Sequence, residues 1–236
     1  MSRPIAPLQV KWEKLPADYI LPDDPVDNIA QPALAAALTE SLDLAGYLGE
    51  TTFTCTNYGI CAVVDGKIVV KAPDWAYVAQ TWVSPEAIAR SYTPKLEGEI
   101  PTIVMEFLSE AEGTEYSIKP TYPPGKWFFY EQILQVPYYA IFDIATGNLE
   151  VYQLNSSQMY DLQPPNEKGR YWITGLNLYL GVWEGTHRNR QGYWLRWWNE
   201  QEELLLWGTE LVQRERDRAK TLKAQLRSLG VEPEDN

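Results

Sequence analysis

The chain has a single histidine, His187, and only two cysteines, Cys55 and Cys61, in 236 residues. One imidazole excludes most zinc sites and any nucleophile system that needs two histidines. Two thiols cannot staple a disulfide scaffold, so we expect ordinary cytosolic thiols. No run of about 18 apolar residues is present to span a bilayer. The first ten residues carry Pro4 and Pro7 and no apolar core, unlike a secretory signal. A cytoplasmic location is the expectation. A P-loop, a G-x-G-x-x-G turn and a nucleophile elbow are all missing. Bases are scarce too: 20 Lys and Arg against 32 Asp and Glu leave a net charge of −12. The acid excess is spread over the chain and heaviest in the first fifty residues. That argues against sequence-blind wrapping of nucleic acid, because phosphate contacts need Lys and Arg.

What is there suffices for a core in one or two domains: 45% hydrophobic residues, with ten Trp and fifteen Tyr. Residues 1–30 are proline-rich and acidic and read as an irregular N-terminal arm. Residues 31–48 have helical composition, with Pro32 in the first turn and Leu34, Leu38 and Leu42 on one face. Asp65-Gly66 lies between the β-branched runs Ile60–Val64 and Ile68–Val70, a hairpin signal. The second of these strands is expected to run on through Pro73-Asp74 into Trp75–Val78, and residues 84–96 to hold a short helix. Ile100–Leu108 is an apolar run of strand length. Pro123-Pro124-Gly125 opens a second helix that Pro137 ends, followed by a buried strand, Tyr138–Asp143. Short strands then recur at Leu149–Leu154, Met159–Leu162, Tyr171–Thr174, Leu178–Trp183 and Tyr193–Trp198. From about Glu200 the pattern turns helical, with Leu205, Val212, Ala219 and Leu226 repeating at seven. The predicted class is α/β (α+β) with one principal sheet. The domain expected over 31–199 is followed by a heptad-patterned helix over 200–236.

Two carboxylates stand where carboxylates are expensive. Glu106 interrupts Ile-Val-Met-Glu-Phe-Leu, a segment typical of a strand covered on both faces. Left unpaired and ionised there, it would cost several kcal/mol or take a raised pKa. Asp74 follows Pro73 beside another apolar strand. Two strand-borne acids converging at one sheet edge suit a hard cation of the Mg²⁺ type. Lys126 shares a helix face with Tyr130, Ile133 and Leu134, which aims its ammonium at the sheet. There it could orient an attacking water and stabilise charge on a phosphate. Taken singly, a strand glutamate is often only ion-paired and a helix-start lysine often snorkels.

Four blocks occur in order: Pro73-Asp74-Trp-Ala-Tyr-Val, Ile103-Val-Met-Glu106-Phe-Leu-Ser109, Lys126-Trp-Phe-Phe-Tyr130 and Val136-Pro-Tyr-Tyr139-Ala-Ile-Phe-Asp143. Together, over about residues 30–185, they resemble the Uma-type putative restriction endonuclease family, a bacterial branch of the PD-(D/E)XK nuclease superfamily. Asp74 matches that family's PD aspartate, Glu106 its glutamate and Lys126 its helix lysine. Position 108, where the parent motif places Lys, is Leu. Tyr122 stands where members often carry an aspartate four residues before the helix lysine. The resemblance implies a restriction-endonuclease-like central mixed sheet flanked by helices, with extra antiparallel strands and a C-terminal helix. It implies a catalytic set of Asp74, Glu106 and Lys126. Asp74 and Glu106 would hold Mg²⁺ or Mn²⁺, and the reaction would be hydrolysis of nucleic-acid phosphodiesters, DNA foremost. A homodimer would suit cleavage of two strands. Glu40 on the first helix, and Glu112, Glu115 and Lys119 in the loop before Lys126, are further candidates for the site.

Other residues weigh less. His187, in a turn with Arg188 and Arg190, could touch phosphate, although an exposed loop histidine is the commoner case. Cys55 and Cys61 bracket a turn and could pair. The aromatics of 171–207 are expected to close a small β layer over the sheet. The rival functions are a catalytically silent nuclease-fold binding or assembly module and a metal-dependent hydrolase of small phosphoesters.

Overall fold

A computed structural model describes residues 8–16, 18–19, 29–108 and 114–229. Most of the expected arm, Glu112 and the last seven residues lie outside the described residues. Among the described residues twelve strands form three sheets. The central, six-stranded sheet has the order β2-β5-β6-β7-β8-β9. Its strands are β2 (Phe53–Cys55), β5 (Trp75–Val78), β6 (Ile103–Leu108), β7 (Tyr138–Asp143), β8 (Leu149–Leu154) and β9 (Tyr160–Leu162). All neighbours are antiparallel except β6 and β7, so the sheet is mixed.

Alternation along the strands sends side chains to two separate cores. Helix α1 (Ala30–Leu44) places Leu34, Leu38 and Leu42 on one face of the sheet, against Trp75, Met105, Phe107 and Phe142. A three-stranded sheet joins it there: β10 (Arg170–Ile173), β11 (Leu178–His187) and β12 (Arg190–Trp198). This is the aromatic β layer expected from the sequence, and Trp194, Trp197 and Trp207 fill it. The opposite face carries Ala76, Val78, Val104, Tyr139 and Ile141. It is covered by the hairpin β3 (Ile60–Val64) and β4 (Lys67–Lys71), which pairs with the short β1 (Val10–Lys11), and by the second helix. The hairpin turns at Asp65 and Gly66 with φ of 48° and 76°, the left-handed pair that Asp-Gly favours.

A parallel pair cannot be closed by a tight turn, so β6 and β7 are joined by a crossover. It contains a 3₁₀ turn, Thr114–Tyr116, then α2 (Lys126–Phe128), which continues as a π-helix, Phe129–Leu134. The widened turn seats Phe129, Tyr130, Ile133 and Leu134 in the second core.

Several expectations are corrected. β4 does not run into β5, because the chain turns at Pro73-Asp74 and the two strands belong to different sheets. Residues 84–96 hold a single 3₁₀ turn, Pro85–Ala87. The C-terminal helix α3 (Gly208–Ser228) starts later than Glu200. Leu205 is therefore a buried residue ahead of the helix rather than the first member of its repeat. Cys55 and Cys61 are free, buried thiols on strands of different sheets. Burial pushes their pKa values up, to about 12 and about 11, and Glu97 adds to the rise at Cys61. His187 is buried rather than exposed, its ring stacked on Trp207 at 3.8 Å between centroids. No described helix is long and apolar enough to cross a membrane.

Candidate active site

Three elements meet around Glu106. Strand β6 pairs with β5 antiparallel with Trp75 opposite Met105, so Asp74, one residue earlier, comes level with Glu106. Parity puts both carboxylates on the face that the crossover helix covers. The Phe107 N–H donates to Asp74 Oδ2 at 2.6 Å, fixing that carboxylate against the next strand. From α2, Lys126 Nζ donates to Glu106 Oε2 at 2.9 Å. From the π-helix, the Tyr130 hydroxyl donates to Glu106 Oε1 at 2.9 Å. Lys126 also lies 3.5 Å from Glu115 Oε1 in the 3₁₀ turn. The helix thus delivers a cation and a hydroxyl to the two oxygens of one strand glutamate.

The Glu106 side chain is fully buried. Burial disfavours its charge and Asp74 adds to that. Lys126 and Tyr130 only partly offset the two effects, and the pKa is pushed up to about 8. For Lys126, burial works against the ammonium, but Glu106, Glu115 and Asp74 outweigh it and leave the pKa at about 12. Lys71, at the end of β4, feels the same field: burial lowers its pKa, Lys126 and Lys119 lower it further, and Glu106 opposes them. Lys126 and Lys71 therefore both lie within the field of Glu106, in a chain of strongly acidic balance.

The crossover is tied down on its outer side. The Tyr139 hydroxyl donates to the Glu115 carbonyl at 2.9 Å. Tyr116 stacks on Trp127 and donates to Glu150 Oε2 at 2.9 Å. Glu131, from the same π-helix, accepts from Trp127 Nε1 and from the Tyr160 N–H, so it braces the helix against β9.

Asp74, Glu106 and Lys126, singled out in the sequence, lie together. Glu115 joins them through Lys126. Glu40 does not: it accepts from Arg188 Nη2 at 3.1 Å and from the Gly208 N–H at 3.2 Å, at the root of α3. Tyr130 was legible only as a core residue, and its hydroxyl is the contact that sequence reasoning misses. Its signal was the spacing of four from Lys126, which puts the two side chains on one helix face. Lys71 gave no signal, since it reads as the polar end of a hairpin strand.

Among the described residues no group of three or more His, Cys, Asp and Glu converges as a metal cluster. The oxygen donors Asp74 and Glu106 still fit a hard cation. Mg²⁺ keeps several waters and is usually held by one or two carboxylates plus substrate phosphate, rather than by an all-protein cage. A carboxylate raised to about 8 by burial beside another acid is also one that nearby positive charge would return to its ionised form.

Residues 33–184 match the family model Uma2, described as "Putative restriction endonuclease". That span holds the whole crossover, both carboxylates and Lys126. No curated protein matches the chain.

Proposed function

The chain belongs to the Uma2 family, and on that footing we propose that it is a divalent-metal-dependent nuclease whose working residues are Asp74, Glu106 and Lys126. The observation that carries the reading is the meeting of a strand glutamate, its strand neighbour Asp74 and an inward helix lysine at one buried point. Asp74 and Glu106 would hold Mg²⁺ or Mn²⁺, which when bound would polarise a phosphate oxygen and lower the pKa of a bound water.

The remaining chemistry falls to the chain. Lys126 keeps its proton across the physiological range, so it offers N–H donors and a positive charge to a phosphate oxygen or an attacking water. Glu115 gives that ammonium a second carboxylate at 3.5 Å. Tyr130 fixes the rotamer of Glu106 through Oε1. The Phe107 N–H does the same for Asp74. Hydrolysis adds water across one P–O bond and leaves a phosphate monoester and a hydroxyl. The charge that builds on the phosphoryl oxygens is what Lys126 is placed to meet.

The test is cleavage of supercoiled plasmid by purified protein with Mg²⁺ or Mn²⁺. We expect nicking by the wild type and loss of at least 100-fold in Asp74→Ala, Glu106→Ala and Lys126→Ala, the scale typical of removing a group that stabilises transition-state charge. Cleavage that persists in the Asp74→Ala and Glu106→Ala variants sinks the assignment. No metal binding by calorimetry and no cleavage by the wild type would leave a catalytically silent module in its place.

A further inference from the structure

The C-terminal helix α3 spans 21 residues, about 32 Å at 1.5 Å per residue, and none of them is buried. Its root is firmly set. Trp207, immediately before it, is buried among Trp183, Trp194 and His187, and its Nε1 donates to the Ala37 carbonyl at 3.1 Å. Arg196 lies over the Trp207 ring and pairs with Glu210 at 2.6 Å. Beyond the first turn the helix stands in solvent, and Val212 and Leu222 are 52% and 50% exposed.

Its charge is opposite to that of the chain. Gly208–Ser228 holds six bases against three acids, a net of +3, so the other residues together carry −15. Of the three acids, Glu210 is taken by Arg196, Glu215 by Arg214 and Arg218, and Asp217 by Lys220. At 3.6 residues per turn, Arg216, Lys220, Lys223 and Arg227 follow one another by four, three and four and so line one flank. An apolar stripe of Val212, Ala219, Leu222 and Leu226 runs beside them.

We propose that α3 is a phosphate-binding arm that grips the nucleic-acid backbone through Arg216, Lys220, Lys223 and Arg227. The identity of the polyanion rests on the nuclease reading above, and the charge complementarity comes from the helix itself. Other occupants fit less well. With Val212, Ala219 and Leu226 as the a positions of a heptad, Glu215 falls at d, and a parallel second copy would set Arg218 at g against Lys223 at e. A lipid surface would have to take Glu215 in the middle of the apolar stripe, and the helix has no aromatic residue to anchor it there. An exposed cationic helix on an acidic body concentrates in one place the cations that nucleic acid needs.

The experiment is fluorescence anisotropy of a labelled 30-base-pair duplex with the full chain in EDTA, so that binding is read without cleavage. The variant R216Q/K220Q/K223Q/R227Q is compared with K11Q/K14Q/K95Q/K168Q, which changes the net charge equally elsewhere. We expect the first to weaken binding at least tenfold and to make the slope of log K against log salt shallower by roughly 3. The second should do neither. Circular dichroism checks that α3 is retained, and Mg²⁺- or Mn²⁺-dependent turnover of bis(p-nitrophenyl) phosphate reports on the catalytic site separately. Equal losses in the two variants, or no duplex binding by the wild type in 50 mM salt, overturn the proposal. So does binding to phosphatidylserine vesicles in place of DNA. Arm-dependent binding without any hydrolysis would preserve the arm and refute the nuclease reading instead.

Discussion

Replacing Glu106 with glutamine removes an ionisable group from full burial while keeping its shape, and its effect should depend strongly on pH. The folded-state pKa of about 8 lies above the ordinary value of 4.5, because burial and Asp74 disfavour the charge. Between those two values the folded chain holds a proton that the unfolded chain has released. The contribution of Glu106 to stability is therefore fully present below pH 4.5 and falls by about 1.36 kcal/mol per pH unit until pH 8, where the loss levels off. Integrated from pH 5 to pH 9, the loss comes to about 4 kcal/mol. The Glu106→Gln variant has no such dependence. A constant offset, from the amide facing Lys126 and Tyr130, is expected at every pH. Urea or thermal unfolding of both proteins from pH 5 to pH 9, in EDTA, isolates the effect as the change in their difference. At roughly 2–4 °C per kcal/mol for a chain of this size, the two melting curves should converge or cross by about 8–16 °C. Curves that stay parallel within about 1 kcal/mol would refute the claim that burial and Asp74 raise the pKa of Glu106.

Two further outcomes follow from contacts described above. Tyr130→Phe takes the donor from Glu106 Oε1. It should cost about 1–3 kcal/mol and move the pH transition of the wild type upward, because that hydrogen bond opposes the rise in pKa. Urea unfolding at pH 6 and pH 9 reads both, and an unchanged midpoint would contradict the contact. Glu210→Gln leaves the fully buried Arg196 guanidinium with the Leu205 carbonyl and the faces of Trp207 and Trp183. A loss of about 3 kcal/mol is expected by denaturant titration, with Trp fluorescence reporting the opened cage. A loss under 1 kcal/mol would show that the pair is solvent-screened.

Glu106 was visible in the sequence because a charge in the middle of an apolar strand has few structural excuses. Asp65-Gly66 was visible because a two-residue hairpin is specified by its own backbone. Lys126 was visible through helical spacing. His187 reads as an exposed loop residue, and the partners of Glu40 are not legible, for the opposite reason. The partners of Glu40 are Arg188 and Gly208, 148 and 168 residues away, and His187 stacks on Trp207 across a strand and a loop. No local pattern encodes such contacts. The arm was hidden by arithmetic: the last 36 residues sum to a small negative charge, while the helix and the residues around it separate the two signs. The π-helix over Phe129–Leu134, whose Phe129 and Leu134 lie in the second core, has no local sequence signal.

The parallel pairing of β6 with β7 also has a kinetic side. Ile103 opposes Tyr138 across 35 residues, whereas the β3–β4 and β11–β12 hairpins close over a few. Loop closure favours short separations, so the hairpins are expected to form early and β6 to wait for its crossover. Until then Ile-Val-Met-Glu-Phe-Leu is an open edge, and without its acid it would be a ready template for intermolecular sheet. In the unfolded chain Glu106 is ionised at neutral pH, and an ionised carboxylate in such a segment opposes pairing between chains. The residue that makes β6 costly to bury thus guards it from aggregation before the arrival of Lys126.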